Sequence, residues 1–324
     1  KYAGLSEEKA DLILVAPITA NSISKIATGI MDTPVTLITG TALGSKIPVI
    51  VVPTMHEVMM HNPAVKENLE KLKGMDVEIL NPLIEEEKAK IPETDEIIEF
   101  CLRKLGNQSL EGKKVLVTAG PTRAYIDGIR FISNPSSGKM GYAVALEAWR
   151  RGAEVKLIYG SSRLNPSKVI GGSIKVETAK DMFEESLDVA SKNQYDYIIL
   201  AAAMNDFVPE DNIDEKISSK EKWELTLLPA QKLADEIKKK SPQSKLVLFK
   251  AEYKKTDSEL VERAKDRMEN VQADFVIAND VSEEKTGFES DFNKVVMIGK
   301  GSKLEWIEGT KIDIAKKIFD FVLQ

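Results

Sequence analysis

The feature that most constrains this chain is an alternation. Short, continuous apolar runs recur along it: DLILVA at 11–16, PVIVV at 48–52, KVLVT at 114–118, EVKLIY at 154–159, YDYIILAAA at 195–203 and DFVIA at 274–278. Between them lie stretches whose apolar residues return at helical spacing. A run that is apolar throughout suits a strand covered on both faces, as in a parallel sheet. Parallel strands joined through helices build doubly wound α/β sheets. The same pattern predicts strands at 35–39, 77–80 and 245–250, and a closing hairpin of 295–298 with 304–307. It predicts helices over 22–31 (Ser22 as N-cap), 62–73, 95–105, 139–151, 179–192, 232–240, 258–270 and 310–323. Residues 84–94, IEEEKAKIPET, are charged, broken by Pro92 and without apolar period, which fits a solvated loop or a mobile flap over a site. A linker at 106–114 sets the expected boundary near residue 110, with one domain over 1–110 and a second over 111–324.

Composition narrows the function classes. Two domains are the natural prior for 324 residues. A chain that is 43% hydrophobic and 30% charged folds as a globule. No apolar run approaches the ~20 residues of a membrane-spanning helix, so no membrane partner is expected. A formal net charge of −6 leaves no footprint for nucleic acid. The single cysteine, Cys101, excludes a disulfide framework within the chain, and two histidines, His56 and His61, exclude a histidine-built zinc site. No basic segment with an apolar core and cleavage site opens the sequence, and the expectation is a cytoplasmic enzyme.

In open α/β sheets, ligands bind beyond the carboxyl ends of strands. After 114–118 comes the turn Ala119-Gly120-Pro121, then Asn134-Pro135-Ser136-Ser137-Gly138-Lys139 opening a helix. Two hydroxyls, a glycine and a lysine at a helix start suit an anion, because backbone N–H groups and the helix dipole point outward there; an ordinary capped helix explains the local string equally well. The run 195–203 ends in small residues, Ala201, Ala202 and Ala203, followed by Asp206, which suits either close ligand approach or tight packing. Lys216 and Lys220 lie in a polar loop, and Asn279, Asp280 and 287–293 are rich in turn residues. In the first half, run 11–16 leads into Pro17-Ile18-Thr19-Ala20-Asn21-Ser22, a small polar turn suited to a flavin or a phosphate. Run 48–52 leads into Pro53-Thr54-Met55-His56-Glu57, where His56 is a candidate acid/base group.

Taken together, these strings are familiar. Residues 113–293 resemble the phosphopantothenate–cysteine ligases through KVLVTAGPTRAYIDGIRFISNPSSGKMGYAVALEAWRRGAEV, AAAMNDF, EKI, FKAE, ANDV and GFESDFN, in family order. Residues 11–72 resemble the flavin-dependent phosphopantothenoylcysteine decarboxylases through PITANS and PTMHEVMM. The order is that of the fused, bifunctional coenzyme A biosynthesis family. The resemblance implies two Rossmann-like α/β domains. The first is flavodoxin-like and incomplete, its opening strand, flavin phosphate loop and catalytic histidine falling before Lys1. The second is a ligase domain with a mainly parallel sheet.

The resemblance also implies chemistry. The ligase half would activate 4′-phosphopantothenate with CTP and Mg²⁺ as an acyl-cytidylate, and cysteine would displace CMP. Asn134 would handle the acyl-nucleotide and Lys216 the triphosphate. Gly120, Ser136, Ser137, Gly138, Lys139, Ala201, Ala202, Asp206, Phe249 and Arg267 would line the nucleotide and substrate. In the decarboxylase half, FMN would be held by Pro17, Thr19, Ala20, Asn21, Ser22 and Met55, with His56 standing where the family has asparagine. A homo-oligomer is implied, the ligase as a dimer and the decarboxylase as a trimer or larger. Departures are local. Ser218 and Ser219 replace family lysines, with Lys220 following, and Val271 replaces another, all of which bear on CTP against ATP. The flap 85–93 lacks the family's cysteine. Two other classes compete. A regulatory flavoprotein would not need the ligase strings, and a dinucleotide-dependent dehydrogenase would need the absent G-x-G-x-x-G.

Overall fold

The structure, a computed structural model, describes residues 10–80, 83–85, 88–163, 165–211, 213, 215–218, 222–282, 287 and 289–324. Ser219, Lys220 and Phe288 lie outside the described residues. The chain divides into two compact units, Lys1–Asn107 and Gln108–Gln324. Each unit is built on a mainly parallel α/β sheet. Among the described residues no helix is long and apolar enough to cross a membrane.

The first unit runs β1 (Ile13–Ile18), α1 (Ala20–Ala27), α2 (Pro34–Gly44), β2 (Val49–Pro53), α3 (Glu57–Met60), α4 (Pro63–Gly74), β3 (Val77–Ile79), β4 (Leu83–Glu85), β5 (Lys88–Lys90) and α5 (Thr94–Leu105). Strands β1, β2 and β3 form a parallel three-stranded sheet in that order. Successive residues of β2 feed opposite faces. Val49 and Val51 join a core with Ile23, Ile26 and Leu72, while Ile50 and Val52 pack with Leu80 and Ile97. That two-sided burial is why the run contains no polar residue.

Three expectations change in this unit. Residues 35–39 are helical and not a strand, because Thr33 and Thr36 form a reciprocal capping box and Pro34 opens the helix; the caps outweigh the β-branched residues between them. Ser22 does not cap α1. Thr19 does, its hydroxyl accepting from the Ser22 N–H at 3.5 Å. The stretch 84–94 is not a loop throughout, since β4 and β5 pair as an antiparallel hairpin.

The second unit opens with β6 (Lys114–Ala119), β7 (Arg123–Tyr125), β8 (Phe131–Ser133), α6 (Lys139–Arg150), β9 (Glu154–Tyr159), β10 (Ile174–Lys175), α7 (Ala179–Lys192) and β11 (Tyr197–Leu200). It continues through β12 (Phe207–Pro209), β13 (Leu227–Pro229), α8 (Leu233–Lys240), β14 (Lys245–Glu252), α9 (Asp257–Val271), β15 (Phe275–Asp280), β16 (Phe292–Gly299), β17 (Leu304–Thr310) and α10 (Lys311–Val322). Eight strands form one sheet in the order β10-β9-β6-β11-β14-β15-β16-β17. The pairs from β10 to β15 are parallel, and β16 and β17 close the edge antiparallel. The chain leaves β6 toward β9 on one side and returns to β11 on the other. The carboxyl ends of β6 and β11 therefore flank the point where the strand order reverses, the standard ligand crevice of such sheets.

One sheet face is packed by Leu116, Ile158, Ile198, Leu246 and Val276 against Met182 of α7, Ile237 of α8 and Leu260 of α9. Helix α6 packs on β6 and β9 and against α10. Buried Arg151 joins these two helices, bonding Glu147 at 2.7 Å and the Lys316 carbonyl at 2.9 Å. Two small antiparallel arms, β7–β8 and β12–β13, extend the fold. Neither arm was expected from the apolar pattern.

Candidate functional site

A cavity of about 700 Å³ opens in the second unit at the carboxyl ends of the parallel strands, lined among others by Thr118, Ala201, Leu248 and Asn279. The volume is that of an ordinary small-ligand site. Its position follows from the strand reversal between β6 and β11.

The alanine run, expected to continue the strand to 203, leaves the ladder after Leu200. Its N–H groups turn to the neighbouring strand end: Ala201 to the Thr118 carbonyl at 3.1 Å, Ala202 to the Thr118 hydroxyl at 3.3 Å and Ala203 to the Gly120 carbonyl at 2.9 Å. These bonds hold backbone where a side chain would fill the crevice. Beneath them lies a buried polar knot. The Thr122 hydroxyl donates to Asn205 Oδ1 at 2.7 Å and accepts from the Asn205 N–H at 2.9 Å, and Asn205 Nδ2 donates to the Ile132 carbonyl at 3.2 Å. Thr122→Val keeps the shape but strips the Asn205 backbone donor and side-chain acceptor of their partner. It is expected to lower unfolding free energy by about 2 kcal/mol in urea titration; a loss under about 0.5 kcal/mol means that the knot is not formed.

The loop at 134–139 forms one wall. Asn134 Nδ2 donates to the carbonyls of Ala203 (3.2 Å) and Met204 (3.0 Å), which fixes the amide's orientation because carbonyl oxygens only accept. Asn134 therefore pins the loop to the alanine segment, with both amide hydrogens engaged. Gly138 precedes α6 at φ +76°, the left-handed region that glycine enters without strain. The hydroxyls of Ser136 and Ser137 accept from the N–H groups of Gly138 (3.3 Å) and Lys139 (3.5 Å). Gly141 lets α6 approach the sheet, since a Cβ there would lie 2.7 Å from Ala119 Cβ. The Lys139 ammonium contacts Asp291 Oδ1 at 2.6 Å and the Glu289 carbonyl at 3.2 Å, and this cation holds the Asp291 carboxyl below its ordinary range.

The structure brings together Asn134, Ser136, Ser137, Gly138, Lys139, Ala201, Ala202, Asp206, Phe249 and Arg267 around this cavity. Asp206 is ion-paired with Lys232, and Arg267 with Asp235 at 3.0 Å. Two expected residues are not in the lining. Gly120 sits in the turn after β6 at φ +75°, packed against Gly160 and Ser162, so it shapes the turn. Lys216 is exposed. Its neighbour Ile217 is anchored, N–H to Asp127 Oδ2 at 3.1 Å and carbonyl to Arg130 at 3.0 Å.

Asp127 also accepts the N–H groups of Arg130 (2.8 Å) and Ile129 (2.9 Å), and these bonds, Arg130's foremost, hold its carboxyl below the ordinary 3.8. A depressed folded value means stabilisation that is complete above the ordinary value and lost as pH falls through the folded one. Asp127→Asn is thus expected to flatten the acid limb of the unfolding profile. An acid limb unchanged from wild type counts against this anchoring of the Lys216 segment.

Sequence reasoning missed Lys232, Lys250 and Lys311, all in the lining, whereas Asn279 and Asn293, from the turn-rich strings 279–280 and 287–293, line it as well. A signal existed for Lys311: a lysine opening a helix stands at the end where a cation is disfavoured.

In the first unit the ends of β1 and β2 lie side by side, the Thr54 N–H donating to the Ile18 carbonyl at 3.0 Å. This brings Pro17, Thr19, Ala20, Asn21 and Ser22 beside the segment carrying Met55 and His56. Asn21 and His56 are exposed, while Ala20 is buried against the core. The Thr54 hydroxyl is buried and finds no hydrogen-bond partner among the described residues. An orphaned hydroxyl beyond adjacent strand ends fits the polar edge of a flavin. Among the described residues no three His, Cys, Asp or Glu side chains converge to hold a metal ion.

Fold and site define a class: a Rossmann-like unit with a strand-end cavity bordered by the start of a helix, joined to a second α/β unit suited to a flavin. Comparison with known proteins narrows it. Residues 110–324 match the DNA/pantothenate metabolism flavoprotein C-terminal domain, and residues 3–106 match the Flavoprotein model. The chain is 45% identical over 320 residues to the coenzyme A biosynthesis bifunctional protein CoaBC of Thermococcus kodakarensis, covering 99% of this chain and 78% of that one. It is 37% identical over 316 residues to the protein of the same name from Methanocaldococcus jannaschii, covering 97% and 76%. The crystal structure of the C-terminal domain of a coenzyme A biosynthesis bifunctional protein CoaBC superposes with a TM-score of 0.55 at 30% identity, over 67% of this chain and 97% of that one. The chain belongs to this family, that of the bifunctional coenzyme A biosynthesis proteins.

Proposed function

We propose that the second unit joins 4′-phosphopantothenate to cysteine through an acyl-cytidylate, within coenzyme A biosynthesis. The observation that carries the reading is the cavity at the strand reversal, with the 134–139 loop and Lys139 at the start of α6 forming one wall. The substrate carboxylate attacks the α-phosphorus of CTP and pyrophosphate leaves. The cysteine amine then attacks the acyl carbon and CMP leaves. Lys139, with the positive end of the α6 dipole, offsets charge on the phosphates. Phe249 and the alanine backbone border the nucleotide, and Asp206 is placed for its polar edge. Lys216 would reach the phosphates from the segment that Asp127 anchors, and Asn134 would hold the loop in register while the acyl-nucleotide forms. Mg²⁺ would arrive on the nucleotide.

The first unit is proposed to hold FMN and to decarboxylate the ligation product. Thr54 would donate to the ring's polar edge, Asn21 and Ser22 would border it from the start of α1, and Met55 would pack beside it. FMN, when bound, supplies the two-electron oxidation of the substrate thiol. His56 would move the proton. The exposed apolar side chains of Ile129 and Phe131 on one arm, and of Phe207, Leu227 and Leu228 on the other, support assembly of the ligase unit as a homodimer, which sedimentation measures.

The ligase reading is tested by pyrophosphate release from the purified chain with 4′-phosphopantothenate and Mg²⁺, comparing CTP with ATP. Release is expected with CTP, and peptide-bonded product only once cysteine is present. Silence with both nucleotides overturns the reading. Flavin absorbance in the purified chain, with and without an added N-terminal segment of a relative, tests the first unit separately; no flavin in either case overturns that half.

A further inference from the structure

Asn293, near the start of β16, lines the same cavity and is only 5% exposed. Its side-chain oxygen is in use. Oδ1 accepts the Lys294 N–H at 2.9 Å and Asn279 Nδ2 at 3.2 Å. The backbone N–H fixes the orientation of the amide, because only the oxygen can accept it. The nitrogen is therefore turned the other way, and its two hydrogens have no hydrogen-bond partner among the described residues. Nor is that nitrogen sealed in protein. Among the described residues the fully buried side-chain atoms without a partner are the hydroxyls of Thr39, Thr54 and Ser186. The open space that Asn293 Nδ2 meets is the cavity that the residue lines.

The fold uses only the oxygen of this side chain. An aspartate would accept the same two N–H groups at least as well, since charged acceptors bond more strongly. What asparagine adds is a donor, and what it avoids is a carboxylate facing the cavity. A buried donor left unpaired costs free energy, which an acceptor arriving in the cavity offsets. Nδ2 can only donate, so its complement is a ligand oxygen. The Lys139 ammonium, held at 2.6 Å by Asp291 two residues before Asn293, lines the same cavity and favours an anionic oxygen.

We propose that Asn293 is a phosphate-binding residue of this cavity, donating from Nδ2 to an oxygen of the nucleotide's polyphosphate. The proposal rests on the nucleotide reading above and adds to it a neutral donor from the antiparallel edge of the sheet. A phosphate oxygen accepts without a proton of its own, so it takes the amide hydrogens directly, while Oδ1 keeps its bonds to Asn279 and Lys294.

The test is calorimetric titration with inorganic tripolyphosphate at neutral pH for wild type, Asn293→Ala and Asn293→Asp, beside melting curves of the ligand-free proteins. Asn293→Ala removes the donor without adding charge and should bind about tenfold more weakly, the loss of one hydrogen bond to a charged group. Asn293→Asp keeps both internal bonds, so its melting curve should match wild type. It turns the donor into a charged acceptor, and its affinity should fall about a hundredfold or more. A brace between β15 and β16 with no ligand role would show the opposite pattern, with Asn293→Asp the milder variant. Wild-type affinity in Asn293→Ala overturns the proposal even if Asn293→Asp binds weakly, because only the added charge then acts. Weak binding accompanied by a lowered melting temperature in both variants also overturns it, since the pair then merely supports the wall. The nucleotide KM for pyrophosphate release distinguishes the two readings. Release in wild type with the same KM in Asn293→Ala leaves the ligase standing and removes Asn293 from the site. No release in wild type, with Asn293-dependent tripolyphosphate binding, removes the ligase and leaves the anion site.

Discussion

Lys139→Met is expected to lower kcat/KM for nucleotide-dependent pyrophosphate release by about 10²- to 10³-fold, the range found when one charge-stabilising donor is taken from a preorganised site. Two effects act together. The variant loses a cation beside the N–H groups of α6, and it leaves the Asp291 carboxylate facing the incoming phosphates without its 2.6 Å partner. Stability should hardly change, because the Lys139–Asp291 pair is solvent-exposed and such pairs contribute little. An unchanged melting curve with a collapsed kcat/KM is therefore the expected signature. Lys139→Arg keeps the charge and should lose about tenfold. If Lys139→Met turns over like wild type, the phosphates do not lie at the start of α6.

Much of the site was legible because its residues lie just after apolar runs. Beyond the first strand of the second unit come Asn134, Ser136, Ser137, Gly138 and Lys139, and beyond the central strand come Ala201, Ala202 and Asp206. All of them line the cavity. Helices α7 and α9 also lie where the apolar spacing predicted helices, and the structure shows capping boxes at their starts, Thr178 and Thr256. The misreadings have physical causes. At 35–39 the β-branched run suggested a strand, but Thr33, Pro34 and Thr36 begin a helix. The arms β7–β8 and β12–β13 are three residues per strand, too short for a period-2 pattern, and depend on pairing with each other. Lys311 escaped notice because a helix start says nothing about which first-turn side chain is buried; that depends on β16, β17 and α6 packing around it. Gly120, which the resemblance puts among the ligand contacts, stands in the turn after β6 with a positive φ, beside Gly160 and outside the cavity lining.

That turn supports the second large effect. Gly160 follows β9, and a Cβ added there would lie 1.9 Å from the Pro121 carbonyl oxygen and 2.8 Å from its carbon. The obstruction is backbone, so no side-chain rotation relieves it. Gly160 φ is not in the left-handed region, so the difficulty is space and not conformation. The same carbonyl accepts the Ser161 N–H at 2.9 Å, and the Gly160 N–H donates to the Ala119 carbonyl at 2.9 Å. Pro121 in turn bridges to Ala203, which lines the cavity. Gly160→Ala must therefore displace the junction that joins β6, β9 and the alanine segment. It is expected to destabilise the second unit by about 3 kcal/mol or more. At roughly 2–4 °C per kcal/mol for a unit of this size, its melting temperature should fall by about 6–12 °C. Gly171→Ala is the control, because nothing lies within 4 Å of its added Cβ, and it should stay within about 0.5 kcal/mol of wild type. Activity should fall with Gly160→Ala even well below its melting temperature, since the displaced backbone carries the Ala203 carbonyl to which Asn134 bonds at 3.2 Å. A Gly160→Ala protein that melts and turns over like the Gly171→Ala control would mean that β6 and β9 do not meet as closely as described, and that the cavity wall built on their junction is placed wrongly.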